Sequence, residues 1–265
     1  MYRFLKSVQI VLVLSGGILA SAASDAKPAS LTVCLEQWYP YYSVDEDGVA
    51  RGAAVDALSL ALAELGHSPD FQILPYARCL RSVRLGHVDA VLTVSPGEAG
   101  LTYVDVPLAY WKIAAVVHAD DPLDRFESLD QFAAYTPIYF VSYTYPEILR
   151  PLIEKQGAVG ISSQEDVMQP LRILQSRWRH VSFEDMLWAK QVVREEGLDI
   201  KVLEPAILTE PNYLAFSPDL KGIAESVEDV LRQMRADGRL AEIFARHLAE
   251  DVLPAGVKGG AGSGS

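Results

Sequence analysis

Residues 36–42 read EQWYPYY, one Trp and three Tyr around Pro40, directly after the apolar run LTVCL. Aromatics on a strand alternate with polar residues so that one face is buried. These do not alternate, and Pro40 interrupts a strand ladder where they begin. Flat rings on a loop that leaves a strand end are suited to stacking on a small molecule, each adding ~0.5–1.5 kcal/mol beyond area burial. Glu36 borders the same strand end, and Tyr76 and Arg78 stand together at the first turn of a later helical stretch. The Arg78 guanidinium is suited to a carboxylate, although Arg78, Arg81 and Arg84 recur every three residues, as on a solvated helix face.

Covalent and metal chemistry find little support. Hydrolysis by Ser or Cys needs a nucleophile beside an oriented His. The five His fall mostly in turns or at helix ends, and no Gly-x-Ser-x-Gly elbow is present. No His pair at helical spacing and no Cys/His cluster points to a metal. No cofactor is expected. Glu36 or Glu184 in a closed cleft would still serve as an acid, which keeps an enzyme in view.

The 265 residues, half of them hydrophobic, suffice for one large domain or two modest lobes. Arg3 and Lys6 precede an apolar stretch from Val8 to Ala20 and the small-residue site Ala20-Ser21-Ala22, which reads as a secretory signal over residues 1–23. That stretch is short for a membrane span, and a lipid anchor would need a Cys at the cleavage point, whereas the first Cys is Cys34. The mature chain is expected to be soluble and periplasmic. The net charge of −12, nearer −14 once Arg3 and Lys6 are removed, repels phosphate backbones and anionic lipid, so nucleic-acid and membrane-surface roles are excluded. The Gly/Ser-rich tail 251–265 reads as flexible, whether native or added. Cys34 and Cys79 are the only cysteines. In an oxidising compartment such a pair is expected to bond, the alternative being two separate buried thiols.

The elements that must position these residues follow from periodicity. Leu31–Leu35 is a strand, Val44–Gly52 a hairpin-like turn, Ala53–Leu65 a helix stopping at Gly66, Phe71–Leu74 a strand and Ala77–Leu85 a helix. His87–Val94 is a strand apolar enough to be buried on both faces, and a further strand, Lys112–Ala119, leads away. A second set begins with a short helix from Ser128 through Phe132, the strand Pro137–Val141 and the helix Pro146–Lys155. Ser163 with Asp166 is expected to cap the next helix, which Pro170 should kink. Trp178–Phe183 is a strand, Ser182 caps a helix Glu184–Glu196, and Asn212–Phe216 is a last strand before helices at Leu220–Ala236 and Arg239–Ala249. Strands alternating with helices over short links give helix-covered, mostly parallel sheets.

Four segments in this order, WYPYYSVDEDGVARGAAVDAL, PYARCLRSVRLGHVDAVLTVS, SLDQF running into VSYTYPE, and NYLAFSPDLKGIAESVEDVLRQMRADGRLAEIFARH, resemble the amino-acid-type (family 3) periplasmic solute-binding proteins, with the type 2 periplasmic-binding fold. The resemblance implies an α/β fold of two lobes, each a helix-covered mostly parallel sheet, joined by two hinge segments. Lobe one would be 24–116 plus 214–250 and lobe two 117–213. It further implies capture of a small polar or anionic solute, amino-acid-like or a carboxylate, by hinge closure, for delivery as a monomer to an inner-membrane ABC permease. Two other roles stay open: a sensor module reporting to a receptor, and a dehydratase-like enzyme on the same fold.

By the same resemblance, Trp38 and Tyr76 are the rings facing across the cleft. Thr93 opens the stretch Thr93–Trp111 in which the family places an Arg for the α-carboxylate, yet that stretch contains neither Lys nor Arg ahead of residue 112. In the second lobe the family's ammonium-binding Asp is matched by Arg179, which favours an anionic ligand group. Ser142 and Thr144, ahead of a helix start, would add hydroxyls and amides for that anion. The expected ligand-binding set is therefore Glu36, Trp38, Tyr76, Arg78, Thr93, Ser142, Thr144 and Arg179, with no metal site.

Overall fold

A computed structural model describes residues 29–162 and 166–248. The expected leader 1–23, the tail 251–265 and the Ser163 cap lie outside the described residues. The chain opens with β1 (Ala29–Leu35), the short hairpin strands β2 (Ser43–Val44) and β3 (Ala50–Arg51), α1 (Ala53–Glu64), β4 (His67–Ile73), α2 (Tyr76–Arg84), β5 (Ala90–Val94) and β6 (Thr102–His118). It continues with β7 (Thr136–Phe140), the single turn α3 (Arg150–Ile153), β8 (Val159–Ile161), α4 (Gln169–Gln175), β9 (His180–Asp185), α5 (Met186–Glu196) and β10 (Ile200–Val202). β11 (Leu208–Phe216), α6 (Lys221–Ala236) and α7 (Arg239–His247) complete it.

Among the described residues one sheet runs in the order β4-β1-β5-β11-β6-β9-β7-β8, with β10 also paired to β6. β4, β1 and β5 are mutually parallel, as are β9, β7 and β8. Between these two parallel sets lie β11 and β6, antiparallel to each other and to their outer neighbours β5 and β9. The expected parallel, helix-covered halves are thus both present, spliced through a pair of antiparallel strands.

Both crossing strands start earlier than periodicity indicates: β6 at Thr102 rather than Lys112, and β11 at Leu208 rather than Asn212. Each contains a proline, Pro107 and Pro211, which argues against a central strand. The ladder accommodates Pro107 where its register shifts, between Asn212 and Tyr213 of the partner. β4 likewise starts at His67, and its Pro69 is tolerated because the strand is at the sheet edge. Pro170 does not kink α4 but sits in its first turn, where the missing N–H is no loss. Pro151 has the same place in α3, which replaces most of the expected helix Pro146–Lys155. α5 begins at Met186 and not Glu184. Its cap is Asp185, whose carboxylate accepts the amides of Leu187 and Trp188, each at 2.9 Å. Ser182 and Glu184 belong to β9 instead.

Four apolar clusters fill the two halves. Val33, Leu35, Ala57, Leu58, Phe216 and Phe244 belong to the one that α1, α6 and α7 close over β1, β5 and β11. A second surrounds Cys34, Cys79, Val83 and Val91. Ile113, Phe132, Phe183 and Leu203 anchor a third, and Ile138, Phe140, Leu171 and Ala189 a fourth, in the other half. Along β6, core membership changes between Ala109 and Trp111. No helix among the described residues is long and apolar enough to cross a membrane.

Cys34 at the end of β1 and Cys79 in α2 form a disulfide with a Cα–Cα separation of 5.6 Å, and both residues are fully buried. Reduction opens a loop whose ends are 45 residues apart; chain entropy then lowers the unfolding free energy by about 4 kcal/mol, measurable by urea denaturation with and without reductant. Gly52, at φ 129°, leaves no room for a side chain: a Cβ there would lie 2.4 Å from the Tyr41 carbonyl oxygen and 2.6 Å from the Tyr42 Cα. Gly52→Ala is expected to destabilise the protein by roughly 1–3 kcal/mol, readable in the same experiment.

Candidate functional site

The carboxyl ends of four strands, one parallel pair from each half, converge on one cavity of about 140 Å³, room for on the order of ten waters or a solute of amino-acid size. Open α/β sheets place their ligand crevices at such ends. From β1 and its loop come Glu36 and Trp38, and from β5 come Thr93 and Ser95. Across the gap, Phe140 ends β7 and Tyr143 follows it, and Glu184 and Asp185 end β9. Trp111, where β6 passes between halves, lines it too.

The aromatic loop is a closed turn. Trp38 and Tyr42 exchange backbone hydrogen bonds of 3.1 and 3.0 Å across a cis Tyr39–Pro40 bond. Its rings divide the work. Tyr41 is fully buried and donates to the Tyr110 carbonyl at 2.9 Å, while Tyr42 is buried with its hydroxyl on that of Thr93. Trp38 is half-buried, edge-on to Tyr41 at 5.4 Å between ring centroids, and packs against the cores of both halves. Tyr76, held at the start of α2 by the disulfide three residues on, meets Tyr143 of the opposite half edge to face at 5.8 Å. Two further polar contacts cross the gap: the Tyr143 hydroxyl donates to Glu36 at 3.2 Å, and the Thr144 hydroxyl donates to Glu98, which is also paired with Arg84.

Of the residues expected from sequence, Glu36, Trp38, Tyr76, Thr93 and Thr144 line the cavity. Three do not. Arg78 is exposed on α2, as the solvated-face alternative has it. Ser142 stands behind the lining, its hydroxyl buried without a partner. Arg179 precedes β9, at the amino end of a strand whose carboxyl end carries the cavity. It is exposed, with positive φ, and its guanidinium lies over the Tyr135 ring at 5.9 Å. No arginine or lysine among the described residues lines the cavity, so the expected anchor for an anionic group is not there.

In its place are carboxyls: Glu36, expected from sequence, Glu184, considered there only as an acid, and Asp185, which sequence reasoning missed. Glu184 and Asp185 are each 6% exposed. Burial pushes Glu184 up to about 8, with Asp185 adding to the rise and the Ser182 hydroxyl bond opposing it. Burial likewise pushes Asp185 up to about 7, against the amides of Trp188 and Leu187, with help from the Trp38 side chain and the Lys112 backbone. Its Oδ2 has no hydrogen-bond partner. Glu36 is raised to about 7 by burial, opposed by bonds from the Tyr76 backbone and Tyr143. The signal was present in SFED, where a strand ending on two consecutive acids cannot send both to solvent.

The comparisons can now be set beside this geometry. Residues 31–250 match the family model for bacterial extracellular solute-binding proteins, family 3. The chain belongs to that family. Among solved structures, a putative L-cystine ABC transporter protein from Listeria monocytogenes is 19% identical, with a TM-score of 0.69 over 85% of this chain and 98% of that one. An ancestral arginine-binding protein bound to arginine is 18% identical, TM-score 0.68, over 84% and 100%. A histidine kinase sensor domain with similarity to periplasmic binding proteins is 18% identical, TM-score 0.70, over 84% and 97%. No curated protein matches the sequence. At these identities the likeness is one of fold.

The raised carboxyls make a pH prediction whose sign is fixed. A carboxyl that titrates near 4.5 when unfolded and near 8 when folded binds more protons in the folded state between those values, so stability falls as pH rises through that window. Glu184→Gln keeps the shape and removes the charge. This variant is expected to melt above the parent at pH 8 and level with it at pH 5, in thermal scans of both proteins at the two pH values.

Proposed function

We propose that the protein is a periplasmic solute-binding protein that traps one small solute by closing its two lobes over the cavity and delivers it, as a monomer, to an ABC-type importer. The carrying observation is that side chains from both halves line one cavity and touch across it, through Glu36–Tyr143, Tyr76–Tyr143 and Thr144–Glu98. The hinge would lie where β6 and β11 pass between halves, near 109–111 and 208–214, lobe one comprising the segments before and after them. Hinge closure needs a few such crossing residues and two rigid bodies. A solute that contacts both lobes binds the closed form better and shifts the population towards it; moving it from 1:99 to 99:1 takes about 5.5 kcal/mol of differential affinity.

Export through the leader 1–23, without a lipid anchor, accords with an extracellular family. Binding without turnover is the simplest use of the site, because the lining offers carboxyls and rings but no activated nucleophile. The similar histidine kinase sensor domain supports a second reading, in which the same closure reports to a receptor. Co-purification with a permease favours transport, and with a kinase favours sensing.

A thermal-shift screen of amino acids, amines, carboxylates and small peptides identifies the solute, since a ligand of the folded state raises the melting temperature. For the tightest binder of that screen, Trp38→Ala is expected to weaken binding at least about tenfold, the equivalent of ~1.4 kcal/mol, with an unchanged circular dichroism spectrum. Unchanged affinity would remove Trp38 from the site.

A further inference from the structure

The strongly ionisable side chains of the cavity are all carboxyls. Glu36 reaches it from the end of β1 and Glu184 and Asp185 from the end of β9, whereas no basic side chain among the described residues lines it. Arg84, at the rim, is committed to Glu98 and to the Ala99 carbonyl. Lys112, whose backbone lies beside Asp185, is not part of the lining. Buried carboxyls without a countercharge are costly, and here two of them and the half-buried Glu36 surround one solute-sized space. Asp185 adds a second observation: though 6% exposed and part of the lining, it leaves Oδ2 unpartnered.

Most hydroxyls of the lining are already engaged, the Tyr76 hydroxyl, buried without a partner, being the exception. The Thr93 hydroxyl is bonded to Tyr42, Ser95 to Asn212 at 3.4 Å and Thr144 to Glu98. The remaining walls are π-faces and ring edges, those of Trp38, Tyr76, Trp111, Tyr143 and Trp188. Aromatic rings around a cation, with carboxylates close by, form a recognised way of holding ammonium and guanidinium groups.

We propose that the solute is a small organic cation lacking a carboxylate, its positive group set against Asp185, Glu184 and Glu36 and its body packed between the rings. The inference rests on the cleft reading above and narrows its ligand class. A zwitterionic amino acid would bring its carboxylate into a space that holds three acids and no base. An amine of the same body brings only the charge that the cavity lacks.

The test is calorimetric titration of the full mature chain with three matched pairs: tyramine and tyrosine, agmatine and arginine, choline and glycine betaine. Within each pair the second member carries a carboxylate that the first lacks, replacing a hydrogen in the first two pairs and the hydroxymethyl group of choline in the third. At least one amine is expected to bind, more tightly than its carboxylated counterpart by about 100-fold or more. Asp185→Asn, which keeps the helix cap of α5, is expected to lose about 30-fold or more of that affinity, while the unliganded variant melts level with the parent at pH 5, where the buried carboxyl of the parent is protonated. Tighter binding of the carboxylated members overturns the cation inference and leaves a solute-binding protein. So does the absence of binding by all six when another solute in the thermal-shift screen binds and closes the lobes. If nothing binds and small-angle scattering detects no closure with any solute screened, both readings fall.

Discussion

Everything in this protein hangs on the pairing of β6 with β11. These two antiparallel strands carry β5 on one side and β9 on the other, so that two parallel half-sheets become one hydrogen-bonded surface. Strand direction is then no longer free. Because β1, β5, β7 and β9 are oriented through the same splice, their carboxyl ends face the same gap, and whatever residue follows each strand is delivered there. Glu36, Ser95, Tyr143 and Asp185 owe their proximity to this single constraint, although they are widely separated in sequence.

Packing and electrostatics pull in opposite directions at that gap. The fully buried Tyr41 and the buried Tyr42 fasten the aromatic turn to the first lobe, with Gly52 close against its backbone. The second lobe supplies Glu184 and Asp185, which burial makes reluctant to ionise. A fold gains nothing in stability from unpaired acids in its interior. Their retention at the ends of the strands is intelligible when a bound solute completes the arrangement, and functional sites are where such departures from good packing are expected.

Much of the scaffold was legible because its periodicity is local. α1, α2, β5 and α6 declare themselves through apolar spacing and glycine stops, and the two cysteines through their number and the expectation of an oxidising compartment. The crossing strands were truncated in the reading because Pro107 and Pro211 mimic strand ends, and only the bulged register that accommodates the first is visible in three dimensions. The site was half legible. Residues immediately after a strand, such as Glu36 and Trp38, could be assigned to the cleft from order alone. Arg179 could not: the reading set it inside a strand Trp178–Phe183, whereas the strand begins at His180 and leaves it at the amino end. Asp185 was hidden behind a helix boundary set two residues too early, which turned a strand-terminal acid into an ordinary helical one.

The Cys34–Cys79 bond joins the last turn of one strand to the helix bearing Tyr76, two of the walls that must meet for the cavity to exist. The bond therefore ties two walls of the cavity to one corner, which would otherwise be left to the packing of Leu80, Val83 and Val91.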